Sequence, residues 1–225
     1  MTKELEAGNY LVISYLALRK AIGVLGIALP VAVSVGACLF FQTGIQSSIS
    51  TYYYTGTRNI LVGALWAIGF FLLSYKGYGR ADANAGNLGC VFAVGITLFP
   101  TAPDIDASAA ATHIGWFHLT FAALFFITLI YFSLCLFTKT DPSKPPTRKK
   151  LQRNMVYRIC GYAMAVCVLL IAIYFIVLRV MHVNEATSAL NGYHLVFWLE
   201  TIAIEAFGIS WLTKGEAILK DEGDA

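Results

Sequence analysis

Titratable side chains are scarce in this chain and gather in a few places. Asp104 and Asp106 precede an apolar run that carries His113 and His118, and His194 and Glu200 stand at the start of the last apolar run. Neutral imidazoles from His113, His118 and His194, joined by a carboxylate from Asp104, Asp106 or Glu200, make up the donor set of a zinc site holding an activated water. Against that reading, the spacing of His113 and His118 sets them about 140° apart round a helix, whereas a ligand pair on one face is three or four residues apart. The same residues serve equally as a structural hydrogen-bond network, or as a pocket for a lipid headgroup or small ligand. No resident cofactor is expected, and zinc is the alternative.

Ser50 is a conceivable nucleophile with His118 as its base. No Gly-x-Ser-x-Gly elbow surrounds it, however, and a serine ahead of a helix more often caps or turns the chain. Arg58 offers a planar fork to a phosphate, or a salt bridge to Asp104 or Asp106. The neighbouring Tyr52, Tyr53 and Tyr54 read as an aromatic belt at a membrane interface. Glu200 and Glu205 lie inside an apolar run, and an acid at membrane depth requires a partner. Glu200 falls about 10 Å below the end of its helix, close to the depth of His118, so those two can meet. Glu205 is deeper and is matched with Arg158 as a buried ion pair. Proton-coupled transport through Glu200 and Glu205 is a further reading, disfavoured by the lack of an inverted repeat or broken helices.

The chain that must position these groups is 225 residues long, 58% hydrophobic and only 13% charged. With a mean hydropathy of +0.67, it is too apolar for a soluble domain and reads as an all-α integral membrane protein. Six segments approach the roughly 20 apolar residues that a bilayer crossing needs. They run over Ala21–Phe41, Asn59–Tyr75, Gly86–Pro100, His113–Phe137, Met155–Met181 and Tyr193–Thr213. Basic residues occupy every second connection. Arg19 and Lys20 come before the first crossing, Lys76 and Arg80 after the second, Lys144, Arg148, Lys149, Lys150 and Arg153 after the fourth, and Lys214 and Lys220 after the sixth. The positive-inside rule then predicts six crossings in one membrane domain with both termini cytoplasmic.

In that arrangement residues 1–20 form a cytoplasmic or interfacial segment, 138–154 a basic cytoplasmic loop and 214–225 a cytoplasmic tail. Asn9 to Leu18 are expected as an interfacial helix, with direct extension of the first crossing as the alternative. Glu4 and Glu6 argue against a secretory leader, and a bacterial inner membrane is the expected setting. The five cysteines have no paired spacing and read as packing residues. Ser50, Arg58, Asp104, Asp106, His113, His118, His194 and Glu200, with His182 and Glu185, all fall on the extracytoplasmic side. Lipids are the expected partners and nucleic acid is not, with self-association into a homo-oligomer left open.

Ser48-Ile49-Ser50, Asn87, and the run Phe117-His118-Leu119-Thr120-Phe121-Ala122-Ala123-Leu124-Phe125-Phe126 together resemble a known pattern. It is that of the six-helix superfamily of the damage-regulated autophagy modulators, the Golgi lipid-remodelling factor for glycosylphosphatidylinositol anchors and the bacterial domain of unknown function 998. The resemblance implies a six-helix fold and a lipid-related role carried by Ser50 and His118. Thr51-Tyr52-Tyr53-Tyr54 stand where relatives have an acidic residue or glycine. A fainter likeness to alkaline-ceramidase-like hydrolases implies zinc-dependent lipid hydrolysis as the alternative activity, although this chain lacks their seventh helix and paired-histidine spacing.

Overall fold

The structure, a computed structural model, describes residues 2–77, 79–140, 143, 145–181 and 192–220, with side chains from 15 to 176 and beyond 191. His182, Glu185, Lys144 and residues 221–225, all named above, lie outside the described residues. Within them every regular element is a helix. Six helices follow in order: α1 Thr2–Phe41, α2 Arg58–Ser74, α3 Arg80–Leu98, α4 Ala109–Tyr131, α5 Arg148–Met181 and α6 Leu195–Lys214. A single 3-10 turn, Ser50–Tyr54, stands between α1 and α2, and a π-helical turn, Phe132–Leu136, closes α4.

Among the described residues, four stretches are long and apolar enough to cross a membrane: Tyr15–Phe41, Ala109–Leu136, Arg148–Ile176 and Leu195–Lys214. The shorter α2 is apolar throughout its 17 residues. The more polar α3 begins at Arg80, ahead of its apolar run, because alanine-rich sequence continues the helix where hydropathy has fallen. Near the chain start the alternative holds, and α1 is one continuous helix through Arg19 and Lys20 rather than a separate interfacial piece. Nothing there breaks a helix, and Arg19 is held in place, its guanidinium 4.2 Å above the Tyr15 ring and donating to the Lys214 carbonyl at 3.4 Å.

Each helix packs on its neighbour in sequence, and α6 returns to α1, so the six form a closed up-and-down ring. Small residues allow the tightest approaches, as expected where helices associate by close packing rather than by exclusion of water. A Cβ on Gly208 of α6 would lie 2.8 Å from the Gly23 carbonyl of α1, and one on Gly86 of α3 would strike the Leu72 carbonyl of α2. Leu29, Val33, Leu61, Leu65, Ile68, Phe125, Leu129 and Phe207 fill the middle of the ring. Val31, Phe70, Val91, Ile127, Leu169 and Ile202 point outward and are exposed. Apolar residues on the outside as well as the inside suit lipid as the solvent.

The two ends of the ring differ in chemistry. At one end cations close helix termini: Lys150 donates to the Phe137 carbonyl at 2.8 Å, and Lys139 lies 3.3 Å from the buried Asp82. Arg153 reaches Glu216 at 3.9 Å at the same end. Beneath them Tyr75, Phe132, Phe137 and Trp211 pack with ring centroids 5.0–5.6 Å apart. The other end carries the Ser47–Thr57 turn, the loop from Phe99 to Ser108 and His194, which together form the candidate site.

Candidate functional site

The segment from Ser47 to Thr57 is short, rich in hydroxyls and tied to much of the ring. Its start is fixed by side chains acting as backbone partners. Ser48 Oγ accepts from Thr51 N at 3.0 Å, while the Thr51 hydroxyl meets Ser47 Oγ at 2.9 Å and Ser48 Oγ at 2.7 Å. Such local bonds favour a turn over a helix. The segment then reaches outward. Ser47 carbonyl accepts from Phe197 N of α6 at 3.0 Å, Tyr54 donates to the Thr101 carbonyl at 2.6 Å, and Thr57 donates to the Val33 carbonyl of α1 at 3.2 Å. Tyr52 is fully buried within the turn, and burial pushes its phenol above the ordinary range, so it stays neutral.

Glu200 and His118 grip this turn from opposite sides. The Glu200 carboxylate accepts from Ile49 N at 2.6 Å and Ser50 N at 3.4 Å, capping the N–H groups that open the 3-10 turn and have no partner within it. His118 is buried, with Nδ1 2.8 Å from the Phe99 carbonyl and Nε2 3.0 Å from Ser50 Oγ. A carbonyl can only accept, so Nδ1 carries the proton, and in the neutral ring Nε2 accepts from the Ser50 hydroxyl. Glu200 and His118 therefore meet through Ser50.

That polarity matches a nucleophile and its base, but the surroundings do not match acyl transfer. Glu200 occupies the backbone N–H groups nearest the hydroxyl, which an oxyanion would need. The spaces bordering Ser50 measure about 20 and 50 Å³, room for a water or two. The arrangement holds the turn in place.

What the turn supports is larger. A cavity of about 520 Å³ opens between α4, α5 and α6. Ser47, Ser48, Thr51, Asp104, Thr112 and His194 give it a polar floor, and Trp116, Leu119, Tyr174, Phe175, Leu195 and Val196 give it apolar walls. Asp104 is anchored by Ser47 Oγ, which donates to its Oδ2 at 2.7 Å. His194 sits in the left-handed region at φ 51°, an unfavourable conformation for a residue with a Cβ, and its Nδ1 is buried without a hydrogen-bond partner among the described residues. Strain of this kind concentrates at binding and catalytic positions.

The sequence-derived candidates divide accordingly. Ser50, His118 and Glu200 form one connected unit, and Asp104 and His194 line the cavity. Arg58 joins neither. It bonds to the Tyr53 hydroxyl and lies 4.0 Å above that ring, so the expected bridge to Asp104 or Asp106 is not formed. His113 is exposed on the outer turn of α4, and Asp106 is exposed at a left-handed φ of 53°. His113, His118 and His194 do not converge, and among the described residues no three His, Cys, Asp or Glu side chains are grouped to hold a metal ion.

The ion pair expected between Glu205 and Arg158 is likewise not formed. Tyr157, Cys160 and Met164 turn the other face of α5 inward, leaving Arg158 exposed. Thr51, Thr112, Trp116 and Tyr174 escaped sequence reasoning. The run Ser47-Ser48-Ile49-Ser50-Thr51, polar between two apolar helices, was the available signal for the first of them.

Comparison with known protein families, curated proteins and solved structures finds no match for this chain.

Proposed function

We propose that this chain is a six-crossing protein of a bacterial inner membrane, with both termini cytoplasmic, that binds a lipid in the cavity at its extracytoplasmic end. The cavity carries this reading. Its volume of about 520 Å³ falls within the range of small-molecule sites, and it joins a hydroxyl and carboxylate floor to aromatic and aliphatic walls. An amphipathic molecule needs that pairing. The orientation rests on charge: Arg19, Lys139, Lys150, Arg153 and Lys214 gather at the end opposite the cavity, which the positive-inside rule places in the cytoplasm. The resemblance noted from Ser48 to Phe126 also implies a lipid-related role, and here Ser50 and His118 support the cavity floor rather than react.

Two experiments test this proposal. In a background without the native cysteines, an impermeant thiol reagent added from outside is expected to label the Asp106→Cys variant and spare Lys149→Cys. Labelling of both from one side would overturn the orientation. For the cavity, Thr112→Trp places a large ring in the space from an exposed position on α4. Native mass spectrometry of the purified variant should show about a tenfold loss of co-purified lipid, the effect of removing a few well-placed contacts. Wild-type lipid occupancy would rule out the cavity as the binding site.

A further inference from the structure

Resting on the cavity as a lipid site, we infer that its ligand is a lipid whose headgroup carries an ammonium group. The charge of the lining points there. Among the described residues Asp104 is the charged side chain of the cavity, and no lysine or arginine lines it. Arg58, at the same end of the ring, is held over Tyr53 and contributes nothing to the lining. A headgroup bearing only negative charge would face a carboxylate without a compensating cation among the described residues, and like charges repel.

The lining is also suited to a donor. A primary ammonium has hydrogens to give and no lone pair to accept with. Asp104 is fixed through Oδ2 by Ser47, and its carboxylate accepts further bonds. His194 also borders the cavity, its Nδ1 buried and without a partner among the described residues. The hydroxyls of Ser48 and Thr51 stand on the same floor. Trp116 and Tyr174 are aromatic residues of the lining, and aromatic rings attract cations. Among the described residues the lining offers acceptors, aromatic rings and one carboxylate without a cation, which suits an ammonium group, and the aliphatic walls take the start of the acyl chains.

The test uses the full-length protein in nanodiscs holding equal amounts of phosphatidylethanolamine and phosphatidylglycerol with identical acyl chains. Lipids retained on release into the gas phase are counted by native mass spectrometry. The wild type is expected to keep phosphatidylethanolamine over phosphatidylglycerol by about tenfold, the scale of a hydrogen-bonded charge pair. Asp104→Asn should erase that preference while lipid is still retained, and Thr112→Trp should remove both lipids. Equal retention by the wild type, or a preference unchanged by Asp104→Asn, overturns the ammonium assignment. If Thr112→Trp still strips the lipid in that case, the cavity reading stands without it. No lipid retained by the wild type overturns both.

Discussion

Glu200→Ala is expected to destabilise the protein by about 2–6 kcal/mol, because it leaves the N–H groups of Ile49 and Ser50 without an acceptor at about 1–3 kcal/mol each. The consequence extends beyond the two bonds. Ile49 is buried in the central core, and the turn that follows it anchors on α1, α6 and the Phe99–Ser108 loop. Loss of the cap frees Ser47, and with it Asp104, so lipid retention should fall together with stability. Glu200→Gln is the informative partner, since its amide oxygen still accepts from both N–H groups. Thermal unfolding in detergent, followed by the loss of the monodisperse peak, should place the Gln variant near the wild type and the Ala variant well below it. If the two unfold together, the charge of Glu200 matters rather than its capping bonds. If neither differs from the wild type, the turn is held by something else.

Gly208→Leu should be more damaging still. A Cβ there would stand 2.6 Å from Ile27 Cγ1, 2.8 Å from the Gly23 carbonyl and 2.9 Å from Ile27 N. Two of those three neighbours are backbone, which no rotamer change can move, so α1 and α6 must separate. Overpacking a core costs about 1–3 kcal/mol for added methylenes with room to adjust, and more where backbone must shift. The contact between α1 and α6 closes the ring, so the variant is expected to yield little monodisperse protein, and Gly208→Ala to lose part of its stability. Gly63→Leu serves as the control. It is exposed on α2 with nothing within 4 Å of its Cβ, and it should behave like the wild type. Equal yields of Gly208→Leu and Gly63→Leu would show that the α1–α6 approach is not a closure the fold depends on.

Much of the helical framework is readable from hydropathy. Asn59–Tyr75 and Tyr193–Thr213 differ from α2 and α6 by one or two residues at each end. Several helices start ahead of the expected apolar stretch: α3 begins at Arg80 rather than Gly86, α4 at Ala109 rather than His113 and α5 at Arg148 rather than Met155. Alanine, lysine and arginine are good helix formers, so helix continues through polar sequence where a hydropathy window has already ended. The depth of a residue along its helix was equally accessible. A fixed rise of 1.5 Å per residue put Glu200 and His118 at one level, and they meet there through Ser50.

Rotation about each helix axis was not accessible. In a chain whose helices are apolar inside and outside, no polar stripe marks the face that turns inward. Arg158 and Glu205 therefore read as neighbours by depth, yet α5 buries Tyr157 and Cys160 and points Arg158 outward. The spacing of His113 and His118 separates their faces by about 140° but does not say which of them turns inward, and it is His118 that faces Ser50 while His113 is exposed. The partners of a loop residue are also unreadable. Arg58 had two aspartates to choose from and took the Tyr53 ring, which lies within its own turn. The sequence by itself determined that the chain is helical, where its helices lie and which end of the bundle each polar group occupies, because those follow from period, length and hydropathy. The tertiary structure alone decided that Ser50 joins Glu200 to His118 and that Asp104 and His194 share a cavity. Those outcomes depend on side-chain packing between helices distant in sequence, on which local composition is silent.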